Sequence, residues 1–340
     1  MGRKGVERGG KDKSMQSDHI LGIDVSKDKL VCSLVRTGDK ERVWLDNFSN
    51  NHDGINRLLA RVPAGSPIIL EPTSWYGNAL VAKASASGRT VFLAPGRQAK
   101  AFRCSIQTRA KTDPKDSFGL ALFGLSRRLW EYRLKSKSVD ELDQHLSYRK
   151  QLSRMIASLG LQARSMPYAS DEIRPTITEL KGRLTGLDKK IASLVKADPQ
   201  FHMVGKLMAV PGFGPVTSAA VGSRLVHKQF TNAKQFVAYT GMDIGLIESG
   251  QRKGTTGITK DGDAELRRLL YVAAQASLRV KNSPFQTIYV RELAKGRHKI
   301  QAICTIARKM AKLAWSMVYY QTAYDPERIY KDRKGKQAQN

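Results

Sequence analysis

The chain has 340 residues, 41% of them hydrophobic, with 58 Lys+Arg against 30 Asp+Glu and a formal net charge of +28. That length predicts more than one domain, and that charge predicts a polyanionic partner, nucleic acid rather than a membrane. A membrane span is excluded because the longest apolar stretch, AICTIARKMAKLAWSMVYY, is broken by Arg308, Lys309 and Lys312, and three scattered cysteines with no Cys-x-x-Cys pair exclude a disulfide framework or zinc site.

Residues 1–17 read as a basic flexible tail with no signal peptide, so a cytoplasmic protein is expected. From His19 the chain alternates apolar runs and turns. Residues 20–35 predict a strand, a Ser-Lys-Asp-Lys turn and a second strand, and 43–50 a third. A short helix follows at 55–62, a buried strand at 67–70, a helix at 78–87 ended by Gly88, and a strand at 90–95. Three antiparallel-type strands and then alternating helix and strand describe an α/β domain with a mixed sheet, over residues 18–130.

Beyond residue 117 the pattern is helical. SFGLALFGLSRRLWEY predicts one helix, and residues 141–166 and 176–197 predict two long ones. Leu180, Leu184, Leu187, Ile191 and Leu194 recur at spacings of three and four, so residues 131–199 read as a helical hairpin or coiled coil. Either a plain two-helix arm or a dimerising coiled coil fits that pattern. Residues 200–325 form a separate helical domain, and 326–340 a basic tail taken as disordered.

Four acids stand out in so basic a chain. Asp24 lies in the first strand, Glu71 ends the PIIL strand, and Asp113 and Asp116 open a helix one turn apart, on a shared face. Singly, each reads as a helix cap or a surface ion pair, and Asp113 before Pro114 is a common helix start. Together they would repel, by about 4 kcal/mol for two unit charges about 4 Å apart at an effective dielectric of 20. Divalent cations remove that cost, and oxygen-only ligands suit Mg²⁺ or Mn²⁺. An Asp in the first strand, a Glu ending a later strand and an Asp pair opening a helix is the order found in ribonuclease H-like nucleases.

Two further segments suggest phosphate contact. In GKLMAVPGFGPVTSAAVG the turn around Gly212 and Gly214 has a helix-hairpin-helix form, able to turn backbone N–H groups toward a phosphate. An ordinary helix–helix turn fits too. A loop holding Gly250, Arg252, Lys253 and Lys260, with Arg267 and Arg268 beyond it, would wrap a phosphate backbone. Ser249 in this loop reads either as one more phosphate-contacting hydroxyl or as a nucleophile that needs activation from elsewhere.

The motifs GIDVSKDKL, ILEPTSWY, KTDPKDS, VPGFGPVTS, and ESG followed by GITKDGDAELRRLLY carry a resemblance to the DEDD-type insertion-sequence transposases of family one-hundred-and-ten, over residues 19–325. The resemblance implies a RuvC-like N-terminal domain and an all-α C-terminal transposase domain. It implies catalytic Asp24, Glu71, Asp113 and Asp116 as the metal-binding tetrad, and Ser249 as the residue that forms a phosphoserine with a cut DNA end. Implied partners are donor and target DNA, a structured bridge RNA from the same element, and further copies of the chain as a dimer and a tetrameric synaptic complex. The chain departs from the family at Ser74, Ser117 and Ile244, where Gly, Ala and Pro are frequent. A metal-dependent junction endonuclease without a covalent intermediate, or a non-enzymatic nucleic-acid-binding protein, are the alternatives.

Overall fold

In the computed structural model the described residues are 17–71, 75–106, 113–127, 129, 131–249 and 252–330. The chain divides into two compact units, Met1–Leu134 and Lys135–Asn340. Gly250 and most of both tails lie outside the described residues.

The first unit is built on β1 (His19–Val25), β2 (Lys29–Arg36), β3 (Arg42–Ser49), β4 (Ile68–Leu70) and β5 (Val91–Leu93). Their order across the sheet is β3-β2-β1-β4-β5. β1, β2 and β3 pair antiparallel, whereas β4 and β5 join parallel to β1, so the expected mixed sheet is present. β1 and β2 are apolar on both faces because helices cover both. β3 is an edge strand and alternates instead.

One face is covered by α1 (His52–Arg61) and α2 (Asn78–Ala86), over a core that includes Leu21, Ile23, Leu58 and Leu80. Asn51 caps α1 by accepting from the Gly54 amide. α3 (Gly96–Ile106) and α4 (Asp113–Ser126) cover the other, over Ile20, Ile69, Phe92, Leu120 and Phe123. The sequence pattern did not predict α3. Its residues GRQAKAFRCSI are mostly polar, and only Ala99 is buried, so no apolar stripe announces it. α4 begins at Asp113 and stops at Ser126, short of the predicted Tyr132, because the chain leaves the helix to pair with β5 through Phe92 and Glu131.

Ser117 on α4 is fully buried against Ser33 on β2, with the two hydroxyl oxygens 2.8 Å apart. Ser117 also donates to the Pro114 carbonyl, which leaves Ser33 as donor within the pair. The serine in place of alanine is thus one half of a matched buried pair.

The second unit opens with α5 (Lys137–Ser165) and α6 (Ser170–Ala197), an antiparallel hairpin joined by a short turn through Pro167. α6 starts six residues before the expected Thr176, because Pro175 lies inside its first two turns rather than before them. The buried seam includes Leu142, Leu152, Leu180, Leu187 and Ile191. α7 (His202–Lys206), α8 (Pro215–His227), α9 (Ala233–Tyr239), α10 (Ala264–Ser277), α11 (Pro284–Ala294), α12 (Lys299–Tyr320) and α13 (Glu327–Tyr330) complete the unit. They pack around Phe236, Leu270, Phe285, Ile306 and Met310. The predicted glycine-rich loop is mostly a hairpin, β6 (Ile244–Ser249) paired antiparallel with β7 (Arg252–Ile258).

A partly buried ion network ties α5 to α8 and α10. Asp143 accepts from Lys135 at 2.6 Å and from Arg224 and Ser223, and Arg224 reaches Asp263 at 3.4 Å. Burial pushes the Asp143 carboxyl upward, but Arg224, Lys135 and Ser223 together hold it below the usual range. His227, beside this network, is pushed down to about 4, first by burial and then by Lys228 and Lys135.

Two stability predictions arise from these contacts. Ser117→Ala leaves the Ser33 hydroxyl buried without its partner and should cost roughly 1–3 kcal/mol. The double variant Ser33→Ala/Ser117→Ala should be less destabilised than Ser117→Ala alone, as measured by urea unfolding. For His227, the folded pKa lies below the unfolded one, so the unfolded chain binds more protons between about pH 6.5 and the His227 value of about 4. Stability of the helical unit should therefore fall as pH drops through that window, and His227→Gln should flatten the slope in denaturant midpoints taken at pH 7 and pH 4.5.

Candidate active site

The site is fixed by a close approach of α4 to β1. A Cβ at Gly22 would stand 2.0 Å from the Ser117 carbonyl oxygen and 2.6 Å from the Ala121 nitrogen. A Cβ at Gly124, two turns further along α4, would meet Ile69 at 2.7 Å and Ile20 at 2.9 Å. As β1 advances from Ile20 to Gly22, α4 is therefore traversed backwards, from Gly124 to Ser117. The helix runs antiparallel to β1, and its first turn, with Asp113 and Asp116, lies toward the Asp24 end of the strand. Asp24 shares a face with Ile20 and Gly22 by the alternation of the strand, so it faces the side covered by α4.

Glu71 reaches the same end through the sheet. Ile23 pairs with Leu70 in the parallel register of β1 and β4, and one further step carries Glu71 to the row of Asp24. The structure thus brings all four predicted acids to one end of one sheet face. Asp113 is placed there by its backbone.

Arg103, on the helix the sequence did not predict, lies between two of them. Its Nη1 is 3.0 Å from Glu71 Oε2 and its Nε is 3.3 Å from Asp116 Oδ1. The arginine side chain is only 12% exposed. The first residue of α3, Gly96, leaves room for the other Glu71 oxygen, since a Cβ there would stand 2.7 Å from Oε1. No sequence signal marks Arg103, because its role depends on a helix with one buried residue.

The donor set consists of hard carboxylate oxygens, which fits a divalent cation of the Mg²⁺ or Mn²⁺ class. In this arrangement a guanidinium supplies the positive charge. Among the described residues, no three acidic, histidine or cysteine side chains stand as a ready ligand group.

In the helical unit, Ser249 is the last residue of β6 and pairs with Arg252 across the ladder. Lys253 pairs with Glu248 and Lys260 is exposed, in a left-handed turn at φ 59°. Arg267 and Arg268, expected to contact nucleic acid, also bond within the protein, and Arg268 keeps half of its side chain exposed. Arg267 donates to the Thr240 carbonyl at 2.9 Å, and Arg268 grips Glu265 at 2.6 Å. Gly212, at φ 91°, is required by packing, since a Cβ would meet the Ala273 carbonyl at 2.1 Å. Gly214 is exposed at the start of α8, with open space where a Cβ would be.

Two family models match the chain: a DEDD-type IS110 transposase domain over residues 21–166 and "Transposase IS116/IS110/IS902 family" over residues 204–290. The chain belongs to the IS110 family of transposases. The chain is similar to the pilin gene-inverting proteins of Moraxella bovis, 25% identical over 91% of this chain and 98% of the relative, and of Moraxella lacunata, 24% identical over the same shares. A probable family 20 transposase of Pseudomonas aeruginosa is 27% identical over 46% of each chain. Transposases of this family are enzymes that cut and rejoin DNA, and a DEDD-type domain implies the use of a divalent metal in general. The purely non-enzymatic reading is thereby set aside. Among the described residues, no helix is long and apolar enough to cross a membrane.

The contact at Gly22 generates a test of the site's scaffold. Gly22→Ala should force α4 away from β1, cost on the order of 1–3 kcal/mol of unfolding free energy, and lower DNA cleavage at temperatures where circular dichroism shows the variant still folded.

Proposed function

We propose that this transposase cuts donor and target DNA and rejoins the strands through a phosphoserine intermediate on Ser249, prepared by a RuvC-like site of Asp24, Glu71, Asp113 and Asp116. The observation that carries the reading is the convergence of those four acids on one end of the β1 face, inside a protein of net charge +28. Bound Mg²⁺ or Mn²⁺ would supply Lewis-acid polarisation of the scissile phosphate. The acids hold their positions by packing: Glu71 against the start of α3, and Asp116 through the contact of α4 with β1.

At Ser249 the hydroxyl oxygen bonds to phosphorus and the P–O bond to one strand end breaks. The hydroxyl proton leaves to water and the departing oxygen takes one up. Attack of another strand end on the phosphoserine reverses the exchange, so one phosphodiester replaces another without a nucleotide cofactor. The relatives named for inverting a pilin gene favour a reaction that rejoins ends over one that leaves them free.

Target choice in this proposal comes from base pairing with a structured bridge RNA of the same element. The protein then reads backbone and shape, with Gly214 and its neighbours in a helix-hairpin-helix-like contact to phosphate. The α5–α6 hairpin serves assembly of a dimer and then a tetramer on the paired DNAs.

The test is a denaturing gel of end-labelled DNA incubated with protein, Mg²⁺ and guide RNA. A labelled protein–DNA adduct should form and should vanish with Ser249→Ala. An adduct that persists in that variant removes Ser249 as nucleophile. Free nicked ends with no adduct, unchanged by Ser249→Ala, would favour a metal-dependent junction endonuclease instead.

A further inference from the structure

Arg103 lies between two of the four acids. Its guanidinium uses two different nitrogens on two different carboxylates, Nη1 on Glu71 and Nε on Asp116. Those acids come from distant parts of the chain, the end of β4 and the first turn of α4. A guanidinium spanning them does the electrostatic work of a bound cation: it offsets the repulsion that would otherwise oppose their approach.

A guanidinium and a divalent ion compete for the same lone pairs. A hard cation of this class needs carboxylate oxygens at about 2.0–2.1 Å in near-octahedral array. Oxygens that accept from Arg103 in the present geometry are turned to another donor.

Removing Arg103 from these acids requires a better anion. Arginine pairs with phosphate at two points, in a geometry a carboxylate and a phosphodiester both satisfy. Phosphodiester is also the anion that the established activity brings to this enzyme. The rest of α3 suits such an exchange, because its outer side is polar and exposed, with Lys100 one turn before Arg103.

We propose that Arg103 is a counterion switch. In the DNA-free protein it neutralises Glu71 and Asp116 and weakens metal binding, and a DNA phosphate draws it off the acids, so that metal and DNA bind with positive coupling. The protein is then poorly loaded with metal until DNA is present. This inference rests on the metal-site reading proposed above.

The experiment measures Mn²⁺ binding to the full-length protein by electron paramagnetic resonance of the free ion. It is run with and without a short DNA duplex, with DNA-only blanks subtracted, and on a Ser249→Ala background so that no DNA is cut. With Arg103 present, DNA should tighten Mn²⁺ binding by tenfold or more. Arg103→Gln should bind Mn²⁺ at least tenfold tighter than the Arg103 protein without DNA, and added DNA should change its affinity less than threefold. If Arg103→Gln binds Mn²⁺ no tighter than the Arg103 protein in the absence of DNA, the switch is wrong and Arg103 only positions the acids. If neither protein binds Mn²⁺ under either condition, the metal-site reading falls and the switch falls with it. Should Arg103→Gln melt too low to use, Arg103→Lys decides. One ammonium in place of two directed N–H arms should tighten DNA-free Mn²⁺ binding severalfold, and no change in that variant also overturns the proposal.

Discussion

The backbone contact between α4 and β1 at Gly22 is the constraint from which the rest of the first unit follows. No side chain fits there: even a methyl group would stand 2.0 Å from the Ser117 carbonyl. The helix is therefore pressed onto the strand, Ser117 can reach Ser33 on the neighbouring strand, and the first turn of α4 is delivered to the sheet end where Asp24 and Glu71 lie. The backbone positions of the acids are thus set by steric fit and by the Ile20, Ile69, Leu120 and Phe123 core. Charges of one sign would drive these groups apart, and Arg103 offsets that repulsion between Glu71 and Asp116. Packing and one internal cation together hold the site.

The same separation of roles applies to the basic residues. A surplus of 28 positive charges suggests that each arginine faces DNA. Several are also tied to groups of the protein itself. Arg149 grips Asp188 across the α5–α6 hairpin, Arg224 joins Asp143 to Asp263, and Arg267 and Arg268 bind Thr240 and Glu265. With only 30 acids in the chain, many of those described are already committed to such arginines. The field felt by a polyanion comes from the remainder, and its binding should be strongly salt-dependent because each neutralised phosphate releases counterions.

What could be read from sequence follows the same logic. β1 through β5, α1 and α2 carry strong apolar patterns with clear breakers, and the structure places them where those patterns put them. Asp24 and Glu71 were legible because an acid at the end of a buried strand is costly without a partner. α3 was not, since one buried alanine gives no period to detect, and Arg103 was lost with it. The β6–β7 hairpin reads as a loop in the sequence because Gly, Thr and Lys dominate it, although its ladder needs only backbone groups. The need for glycine at position 212 has a second source that no local pattern encodes, the Ala273 carbonyl on α10, 61 positions away.

Residues 240–262 have a mechanical role at the base of that hairpin. The Thr259 amide donates to the Asp243 carbonyl and the Lys260 amide to the Gly241 carbonyl. Gly241 and Gly262 leave space for one another's backbones, as a Cβ on Gly262 would meet the Gly241 nitrogen at 2.4 Å. Arg267 locks the Thr240 carbonyl from α10. An isolated two-stranded ribbon is marginal in water, so a ribbon that must present a side chain needs this kind of root. From Ile244 to Ser249 the strand advances about 17 Å at 3.4 Å per residue. Ser249 thus lies five residues along the ribbon from Ile244, which is near the anchored base. If Ser249 is the nucleophile of the proposed reaction, an anchored ribbon suits it better than a buried pocket, because a DNA end is too bulky to enter a protein interior.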